Sequence, residues 1–255
     1  MKLQGKVAVV TGGNSGIGFG IAEALKNEGA TGTITGRNQE TLDQAVQELG
    51  PGFISVRGDV TQLEDLKRVF QATAERFGKI DTLVVNAGGV VDGSPMASIV
   101  NVTEDNYNRY MDLNLKSSYF TVQQALPYLN DGASIILIGS SAAHRAAPGM
   151  TIYAAAKAAV ISLAKGLSLD LLDRKIRVNT LSPGSIDTPV FGKLVPQPQL
   201  EQVKQVWRDL IPLGRMGLPA EMGKTAVFLA SDDSSFIVGT EILADGGMTN
   251  ISLMS

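Results

Sequence analysis

Short apolar runs that alternate with longer helix-like stretches limit what this chain can fold into. The apolar runs lie at residues 7–11, 32–35, 53–57, 82–86, 134–138, 177–181 and 241–244. Most are too apolar to leave one face in water, which is typical of parallel strands covered on both faces. The helix-like stretches lie between them, at residues 17–28, 39–49, 63–77, 107–129, 153–172 and 220–231. The alternation predicts a doubly wound α/β fold, with a parallel sheet of about seven strands flanked by helices.

Composition places the chain among ordinary globular proteins. Its 255 residues are 44% hydrophobic and 18% charged, which excludes a disordered or fibrous chain. No linker divides them, so we expect a single domain over residues 1–255. The net charge of -3 argues against a nucleic-acid partner. With no cysteine and one histidine, His144, the sequence offers no disulfide and no metal site built from thiolates or histidines.

The beginning of the chain lacks the apolar stretch of a secretory signal, since residues 1–6 run directly into the first apolar run. No segment approaches the length of a membrane span. We therefore expect a cytoplasmic protein without a membrane partner.

A glycine-rich turn follows the first apolar run and opens the first helix. Gly12, Gly16 and Gly18 let the backbone approach a pyrophosphate closely, and the helix N-terminus then stabilises its negative charge. The spacing departs from the GxGxxG pattern, and no Gly-Lys-Ser/Thr follows, so the turn is not a P-loop. The alternative is a turn that only packs the helix close to the strand.

The end of the second strand indicates which cofactor the chain prefers. An NAD(H) site carries a carboxylate there for the ribose hydroxyls, whereas an NADP(H) site carries an arginine for the 2'-phosphate. Here Arg37 follows Thr35 and Gly36, and the carboxylate is missing. A guanidinium fits a phosphate in charge and geometry. The sequence therefore favours NADP(H) over NAD(H), although an exposed arginine in a turn is also a common accident.

Polar residues also follow the third and fourth strands, at the edge where open α/β sheets bind ligands. Asp59, which precedes Val60, is placed to accept a hydrogen bond from an adenine amino group. Asn86 begins an Asn-Ala-Gly sequence that ends at Gly88. The alternative role of its side chain is to brace the fourth strand through backbone hydrogen bonds.

A tyrosine and a lysine mark the predicted helix 153–172. Tyr153 and Lys157 share a helix face because they are four residues apart. An adjacent cation favours the phenolate and lowers the pKa of tyrosine from its usual value of about 10, which makes a usable proton donor. Alone, such a pair is more often part of a solvated helix face.

The order and spacing of these motifs resemble the short-chain dehydrogenase/reductase family over essentially the whole chain. The motifs are Thr-Gly-Gly-Asn-Ser-Gly-Ile-Gly at residues 11–18, Asp59-Val60, Asn-Ala-Gly at 86–88, a serine before the tyrosine, and Tyr-Ala-Ala-Ala-Lys at 153–157. The resemblance implies a Rossmann-like fold. It also implies hydride transfer between a nicotinamide cofactor and a ketone or secondary alcohol.

The resemblance further implies the catalytic residues. Tyr153 is the acid-base residue, Lys157 lowers its pKa and binds the nicotinamide ribose, and Ser140 donates a hydrogen bond to the substrate oxygen. Ser141 is the fallback, since only one of two adjacent serines is expected to face the site. Asn114 holds a water for a proton relay through Lys157. Otherwise, a polar residue inside this apolar helix indicates a local kink or a bond to the backbone.

The cofactor contacts that the family implies surround the same edge of the sheet. They are Gly12, Asn14, Ser15, Gly16, Ile17, Gly18, Arg37, Asp59, Val60, Asn86, Ala87, Gly88, Tyr153, Lys157, Pro183, Gly184, Ile186 and Thr188. Two features depart from the family. The stretch that includes residues 95–100 is longer than usual, which would shape the entrance, and Asn14 and Ser15 stand where many NADP-using members carry a basic residue.

Residues 183–219 hold six of the ten prolines and interrupt the alternation. We expect a substrate lid over about residues 188–218, the alternatives being a packed surface excursion or a subunit contact. The predicted pocket is formed by residues 142–150 and by lid residues, including Val190, Phe191, Leu194, Trp207 and Met216. Such a mostly apolar pocket suits a small carbonyl or alcohol substrate with an apolar or aromatic flank.

The helix that carries Tyr153 is rich in alanine and serine, and family members commonly pair this helix within a tetramer. The resemblance therefore implies a homotetramer. The alternative functions are an NAD-preferring sugar or alcohol dehydrogenase and a non-catalytic NADP-binding regulator. A serine hydrolase that uses Ser141 and His144 lacks the G-x-S-x-G motif.

Overall fold

A seven-stranded parallel sheet organises the structure, a computed structural model that describes residues 1–94, 96–189, 192 and 197–252. The strands are β1 Val7–Thr11, β2 Thr31–Gly36, β3 Phe53–Arg57, β4 Ile80–Val85, β5 Leu129–Ile138, β6 Arg177–Pro183 and β7 Glu241–Ala244. Their spatial order is β3-β2-β1-β4-β5-β6-β7, and every neighbouring pair is parallel. The predicted fold class and strand number are confirmed, although β5 begins earlier than predicted.

Helices cover both faces of the sheet. The α-helices of the described residues are α1 Gly16–Asn27, α2 Gln39–Leu49, α3 Leu63–Phe77, α4 Glu104–Met111, α5 Ser117–Ala125, α6 Thr151–Asp170, α7 Gln197–Leu210 and α8 Pro219–Ala230. Each face has its own apolar core because side chains alternate along a strand. In β1, Ala8 and Val10 belong to a core with α1, α2 and α8, whereas Val7 and Val9 belong to a core with α3, α5 and α6. Burial on both faces explains why the strands are so apolar.

The strand order places a crevice at the carboxyl end of β1. This strand pairs with β2 on one side and with β4 on the other. The chain therefore continues in opposite directions after β1 and after β4, and ligands of open α/β sheets bind where this happens. The glycine-rich turn after β1 and the Asn-Ala-Gly sequence after β4 both lie at this edge.

The predicted helix 107–129 is not continuous. A π-turn over Asp112–Lys116 separates α4 from α5. Asn114 lies buried inside this turn, and its Nδ2 donates a hydrogen bond to the carbonyl oxygen of Tyr110 at 3.1 Å. The side chain thus bonds a carbonyl of its own helix, so the backbone bond indicated for Asn114 is present, within a π-helical turn.

The predicted lid contains a helix, α7, that the sequence analysis does not identify. Trp207 and Met216 pack with the buried Ile211 and with Met248 in a small cluster of their own. The side chain of Lys204 is largely buried, and its Nζ lies 2.7 Å from Oδ1 of Asp187, in the segment after β6. Three predicted pocket residues lie outside the described residues, namely Val190, Phe191 and Leu194.

One helix, α6, is 20 residues long and strongly apolar. By length and composition alone, α6 could cross a membrane, so the expectation that no segment approaches such a length is wrong. Its many alanines raise its hydropathy, while one face packs against the sheet and carries the buried Lys157. This packing is that of a core helix in a globular fold.

Candidate active site

The glycine-rich turn after β1 is shaped to approach a ligand closely. Gly12 and Gly16 have φ angles of 63° and 53°, in the left-handed region that favours glycine. A Cβ on Gly18 would lie 2.1 Å from the carbonyl oxygen of Gly12, so only glycine lets α1 begin this close to β1. Ser15 precedes α1 and makes no side-chain cap within the described part of the chain. The first N–H groups of α1 therefore remain to bind an anion.

Asn14 and Ile17 fix the position of this turn. Nδ2 of Asn14 donates a hydrogen bond to Oγ1 of Thr41 in α2, at 2.7 Å. A Cβ on Gly36 would lie 2.5 Å from Oδ1 of Asn14, so β2 has to end in a glycine before Arg37. Ile17 packs against the core between the sheet and α1. The turn is thereby held beside the end of β2.

Asn86 braces the turn from β4. Its Nδ2 donates to the carbonyl oxygens of Thr11 at 2.9 Å and Gly12 at 3.1 Å. In return, Oγ1 of Thr11 accepts hydrogen bonds from the backbone nitrogens of Asn86 and Ala87, both at 3.0 Å. The bracing role that the sequence leaves open for Asn86 is therefore present.

The residues predicted to bind the adenosine half surround the ends of β2 and β3. Arg37 is exposed, and its Nη2 forms an ion pair with Oδ2 of Asp92 at 2.7 Å. Asp59 uses Oδ1 to accept hydrogen bonds from the backbone and hydroxyl groups of Thr61, at 2.9 and 2.8 Å. Val60 is buried beside it. Asp92 is a contact that no motif indicates.

Ser140, Tyr153 and Lys157 converge at the carboxyl end of β5. Lys157 donates a hydrogen bond from Nζ to the carbonyl oxygen of Ile138 at 2.8 Å, and the same Nζ lies 5.9 Å from the centroid of the Tyr153 ring. Ser140 is hydrogen-bonded to Tyr153, whereas Ser141 begins the 3-10 turn that follows. A hydroxyl, a phenol and an ammonium group thus share one corner of the sheet edge.

Burial dominates the pKa values of these groups. It raises the pKa of Tyr153, although the hydrogen bond from Ser140 opposes the rise and the nearby Tyr110 adds to it. Burial also lowers the pKa of Lys157 to about 8. The net pKa of Tyr153 is therefore raised, because the cost of burying a phenolate outweighs the hydrogen bond from Ser140. The ammonium of Lys157 donates to the carbonyl oxygen of Ile138, and the expectation that it lowers the pKa of Tyr153 stays a prediction.

Asn114 joins α4 to the segment after β4. Its Oδ1 accepts a hydrogen bond from the backbone nitrogen of Gly89 at 2.7 Å, and its Nδ2 donates to the carbonyl oxygens of Gly89 and Tyr110. A Cβ on Gly88 would lie 3.1 Å from Oδ1 of Asn114 and 3.3 Å from Nζ of Lys157. Gly88 therefore lies between the side chains of Asn114 and Lys157. Asn114 is thus placed beside the group formed by Ser140, Tyr153 and Lys157.

The segment after β6 returns to the glycine-rich turn. Pro183 ends β6, and the backbone nitrogen of Gly184 donates to the carbonyl oxygen of the last residue of β7, at 3.0 Å. Ile186 is buried. A Cβ on Gly16 would lie 3.3 Å from the side chain of Thr188. The predicted contacts of the nicotinamide end therefore lie around the same crevice.

A small, mostly apolar cavity of about 10 Å³ lies beside Tyr153, between α4, α6 and the long segment after β4. Its lining residues are Met96, Ala97, Val102, Asn106, Tyr110, Gly149, Ile152 and Tyr153. Gly149 belongs to the predicted pocket segment 142–150, but Trp207 and Met216 do not line this cavity. Tyr110, whose hydroxyl donates to the carbonyl oxygen of Ser94 at 3.0 Å, was missed because no motif marks it.

Comparisons with known proteins agree with this geometry. A family model described as "Enoyl-(Acyl carrier protein) reductase" matches residues 12–249. An oxidoreductase from Sarocladium schorii, asL5, is 42% identical over 98% of this chain and 98% of its own length. The 3-oxoacyl-[acyl-carrier-protein] reductase FabG from Thermotoga maritima is 36% identical over 97% of this chain and 99% of its own.

Solved structures point the same way. A short-chain dehydrogenase/reductase from Serratia marcescens has a TM-score of 0.89 and 30% sequence identity, over 98% of this chain and all of its own. The chain belongs to the short-chain dehydrogenase/reductase family. This short-chain dehydrogenase/reductase is therefore an enzyme, an oxidoreductase of a family that uses a nicotinamide cofactor. The close approach that Gly12, Gly16 and Gly18 allow fits the pyrophosphate of such a cofactor.

Proposed function

We propose that this enzyme transfers a hydride between NADP(H) and a ketone or secondary alcohol, with Tyr153 as the acid-base residue. The observation that carries the proposal is the convergence of Ser140, Tyr153 and Lys157 beside a mostly apolar cavity. The glycine-rich turn that fits a dinucleotide lies at the same edge of the sheet. Cofactor and substrate would therefore meet at this group.

The proposed reaction divides the work between cofactor and chain. When bound, the reduced cofactor supplies a hydride for the carbonyl carbon. Tyr153 gives its hydroxyl proton to the carbonyl oxygen, which yields the alcohol, and oxidation reverses both transfers. Ser140 donates a hydrogen bond to that oxygen as negative charge develops on it.

Lys157 and Asn114 would help to return a proton to Tyr153 after it has protonated the substrate. The ammonium of Lys157 stabilises the phenolate that Tyr153 becomes, because opposite charges attract strongly where water is excluded. It would also donate a hydrogen bond to the nicotinamide ribose. A water held beside Asn114 would return a proton to Tyr153 through Lys157.

The preference for NADP(H) and the substrate class are parts of the same proposal. The exposed guanidinium of Arg37 at the end of β2 supports binding of a 2'-phosphate, and no carboxylate takes its place there. The apolar side chains of Met96, Val102 and Ile152, which lie around Tyr153, support a carbonyl compound with an apolar or aromatic flank. The name of the Thermotoga maritima relative, a 3-oxoacyl-[acyl-carrier-protein] reductase, also supports a ketone.

We also propose a homotetramer in which α6 forms one interface. The exposed residues of α6 are mostly small, and those between its ends lie along one face. They are Thr151, Ala155, Ala158, Ser162, Lys165, Gly166, Leu169 and Asp170. Small residues let two helices approach closely. Leu169, which is 74% exposed, would add apolar area at the end of this face.

A panel of ketones, keto esters, sugars and alcohols tests the proposal, followed by NADPH absorbance in both directions. With the best substrate, Tyr153→Phe should bind NADPH normally and lose at least about a hundredfold in kcat, because the proton donor is gone. Tyr119→Phe, at an exposed tyrosine of α5, is the matched control and should keep wild-type rates. Near-wild-type turnover by Tyr153→Phe would reject the mechanism.

A further inference from the structure

The turn after β4 crosses the crevice towards β2. Val91 and Ser94 form an antiparallel bridge, with a backbone hydrogen bond from Ser94 to Val91 at 3.0 Å, and Gly93 between them has a φ angle of 68°. These residues form a tight turn that presents Asp92 at its tip. Because β1 lies between β4 and β2, a contact from Asp92 to Arg37 passes over the carboxyl end of β1.

The position of this turn is fixed from α4. Nη2 of Arg109 donates to the carbonyl oxygen of Asp92 at 2.6 Å, and the hydroxyl of Tyr110 donates to the carbonyl oxygen of Ser94. On the other side of the crevice, Nε of Arg57 donates to the carbonyl oxygen of Arg37 at 3.0 Å. The backbone is therefore held by hydrogen bonds at both Asp92 and Arg37. The ion pair thus does not depend on the side-chain conformations alone.

We propose that Asp92 is a specificity-determining residue that competes with the cofactor's 2'-phosphate for Arg37. The guanidinium that a 2'-phosphate needs is already paired with a carboxylate at 2.7 Å. The phosphate therefore has to displace Asp92, whereas a ribose with a free 2'-hydroxyl does not. This inference rests on the proposed preference for NADP(H), which Asp92 reduces without reversing.

The size of the effect follows from the exposure of the pair. The side chains of Arg37 and Asp92 are 59% and 56% exposed, so water screens their attraction. An exposed ion pair of this kind changes a binding constant by about fivefold at most. Asp92 is thus expected to weaken binding of a 2'-phosphate by about two- to fivefold and to leave unphosphorylated ligands unaffected.

The test compares two probes that differ only in the phosphate, adenosine 2',5'-bisphosphate and adenosine 5'-monophosphate. Their dissociation constants are measured by calorimetry at about 50 mM salt, where surface charges are little screened. Asp92→Asn should tighten binding of the bisphosphate by about two- to fivefold and leave the monophosphate unchanged. Asp131→Asn is the matched control. It removes an exposed carboxylate from an arginine pair near the start of β5, at the opposite edge of the sheet, and should change neither constant.

The variant Arg37→Gln shows whether Asp92 acts through Arg37. In the Arg37→Gln background, Asp92→Asn should tighten binding of the bisphosphate by less than half as much as it does in the wild type. Both changes are compared as logarithms of the dissociation constant. A gain that stays above half, or no gain from Asp92→Asn in the presence of Arg37, would overturn the inference. Arg37→Gln alone tests the proposed cofactor preference. If it leaves bisphosphate binding unchanged, that preference fails, whereas weaker binding with no effect of Asp92→Asn overturns only the role of Asp92.

Discussion

Lys157 places an ammonium group where little water reaches it. The residue is 4% exposed, and Nζ donates a hydrogen bond to the carbonyl oxygen of Ile138 at 2.8 Å. One backbone oxygen does not replace full hydration, which is why burial lowers the pKa of Lys157 to about 8. The residue proposed for catalysis is therefore kept at a cost to stability.

This cost predicts a pH dependence of unfolding. Between about pH 8 and pH 10.5 the unfolded chain keeps the proton of Lys157 and the folded chain does not, so the wild type gains stability as pH rises. Lys157→Met lacks this gain. The unfolding free energy of the variant minus that of the wild type should fall by about 2 kcal/mol between about pH 7 and pH 9.5, measured with urea.

An exposed lysine on another helix provides the control for this measurement. Lys26, in α1, is exposed in the folded chain and hydrated in the unfolded one. The stability of Lys26→Met should therefore follow that of the wild type across the same pH range. A constant difference between Lys157→Met and the wild type would show that burial does not perturb Lys157.

Gly18 predicts a second effect at the scale of one residue. Gly18→Ala forces a methyl group against the carbonyl oxygen of Gly12, where the ideal Cβ position lies 2.1 Å away. The backbone has to shift, which should cost about 3 kcal/mol of unfolding free energy and abolish cofactor binding. Gly52→Ala, where the added Cβ meets only the side chain of Thr31 at 3.7 Å, should instead change the stability by less than about 1 kcal/mol. Urea unfolding and NADPH titration measure both, and equal effects of the two variants would contradict this account.

The elements that the sequence predicts well are those whose burial shows in their composition. The strands were found because most of them are short, buried and apolar, as parallel strands covered on both faces are. The π-helical turn between α4 and α5 was anticipated only as a local kink or backbone bond at Asn114, because it depends on the bonds of this one side chain to the backbone. The start of α4 was predicted three residues too late. Thr103 caps this helix in a reciprocal pair with Asn106, whereas the usual capping signature has glutamate or glutamine at the position of Asn106.

The lid helix and the contacts of the turn after β4 were missed for different reasons. Pro198 argued against a helix, but it lies in the first turn of α7, where proline is tolerated. The positions of Asp92 and Tyr110 depend on where an irregular segment crosses the sheet, and local sequence carries no signal for that. By contrast, Ser140, Tyr153 and Lys157 were found together because spacing and family motifs mark them.

The ion pair between α7 and the segment after β6 predicts a role in substrate binding. Lys204→Gln should loosen α7 from Asp187, which is next to Thr188 at the nicotinamide end. The KM for the carbonyl substrate should rise about two- to fivefold, with a smaller change in kcat and no loss of thermal stability beyond a few degrees. Arg208→Gln removes a cation that pairs with Glu201 inside α7 and should leave KM unchanged. Steady-state kinetics of both variants decide this, and equal KM values would reject the anchoring role.

At the scale of the whole molecule, the exposed face of α6 predicts how copies assemble. Ala158→Glu adds a charge in the middle of this face without disturbing the sheet, since Ala158 is exposed. If the homotetramer pairs α6 across an interface, light scattering at micromolar concentration should show a smaller mass for this variant. Gln47→Glu adds the same charge on an exposed position of α2 and should keep the wild-type mass. A monomer mass for the wild type would reject the tetramer.

The order of the strands also determines how the chain folds as it is synthesised. Val9 in β1 pairs with Leu83 in β4, and all of β2, α2, β3 and α3 are made between them. One apolar edge of the emerging sheet therefore stays unpaired until nearly a third of the protein has left the ribosome. Parallel pairings between distant residues form slowly and expose strand edges to aggregation in the meantime. The arrangement that gathers the site at one edge is thus expected to leave the nascent protein prone to aggregation until β4 has been made.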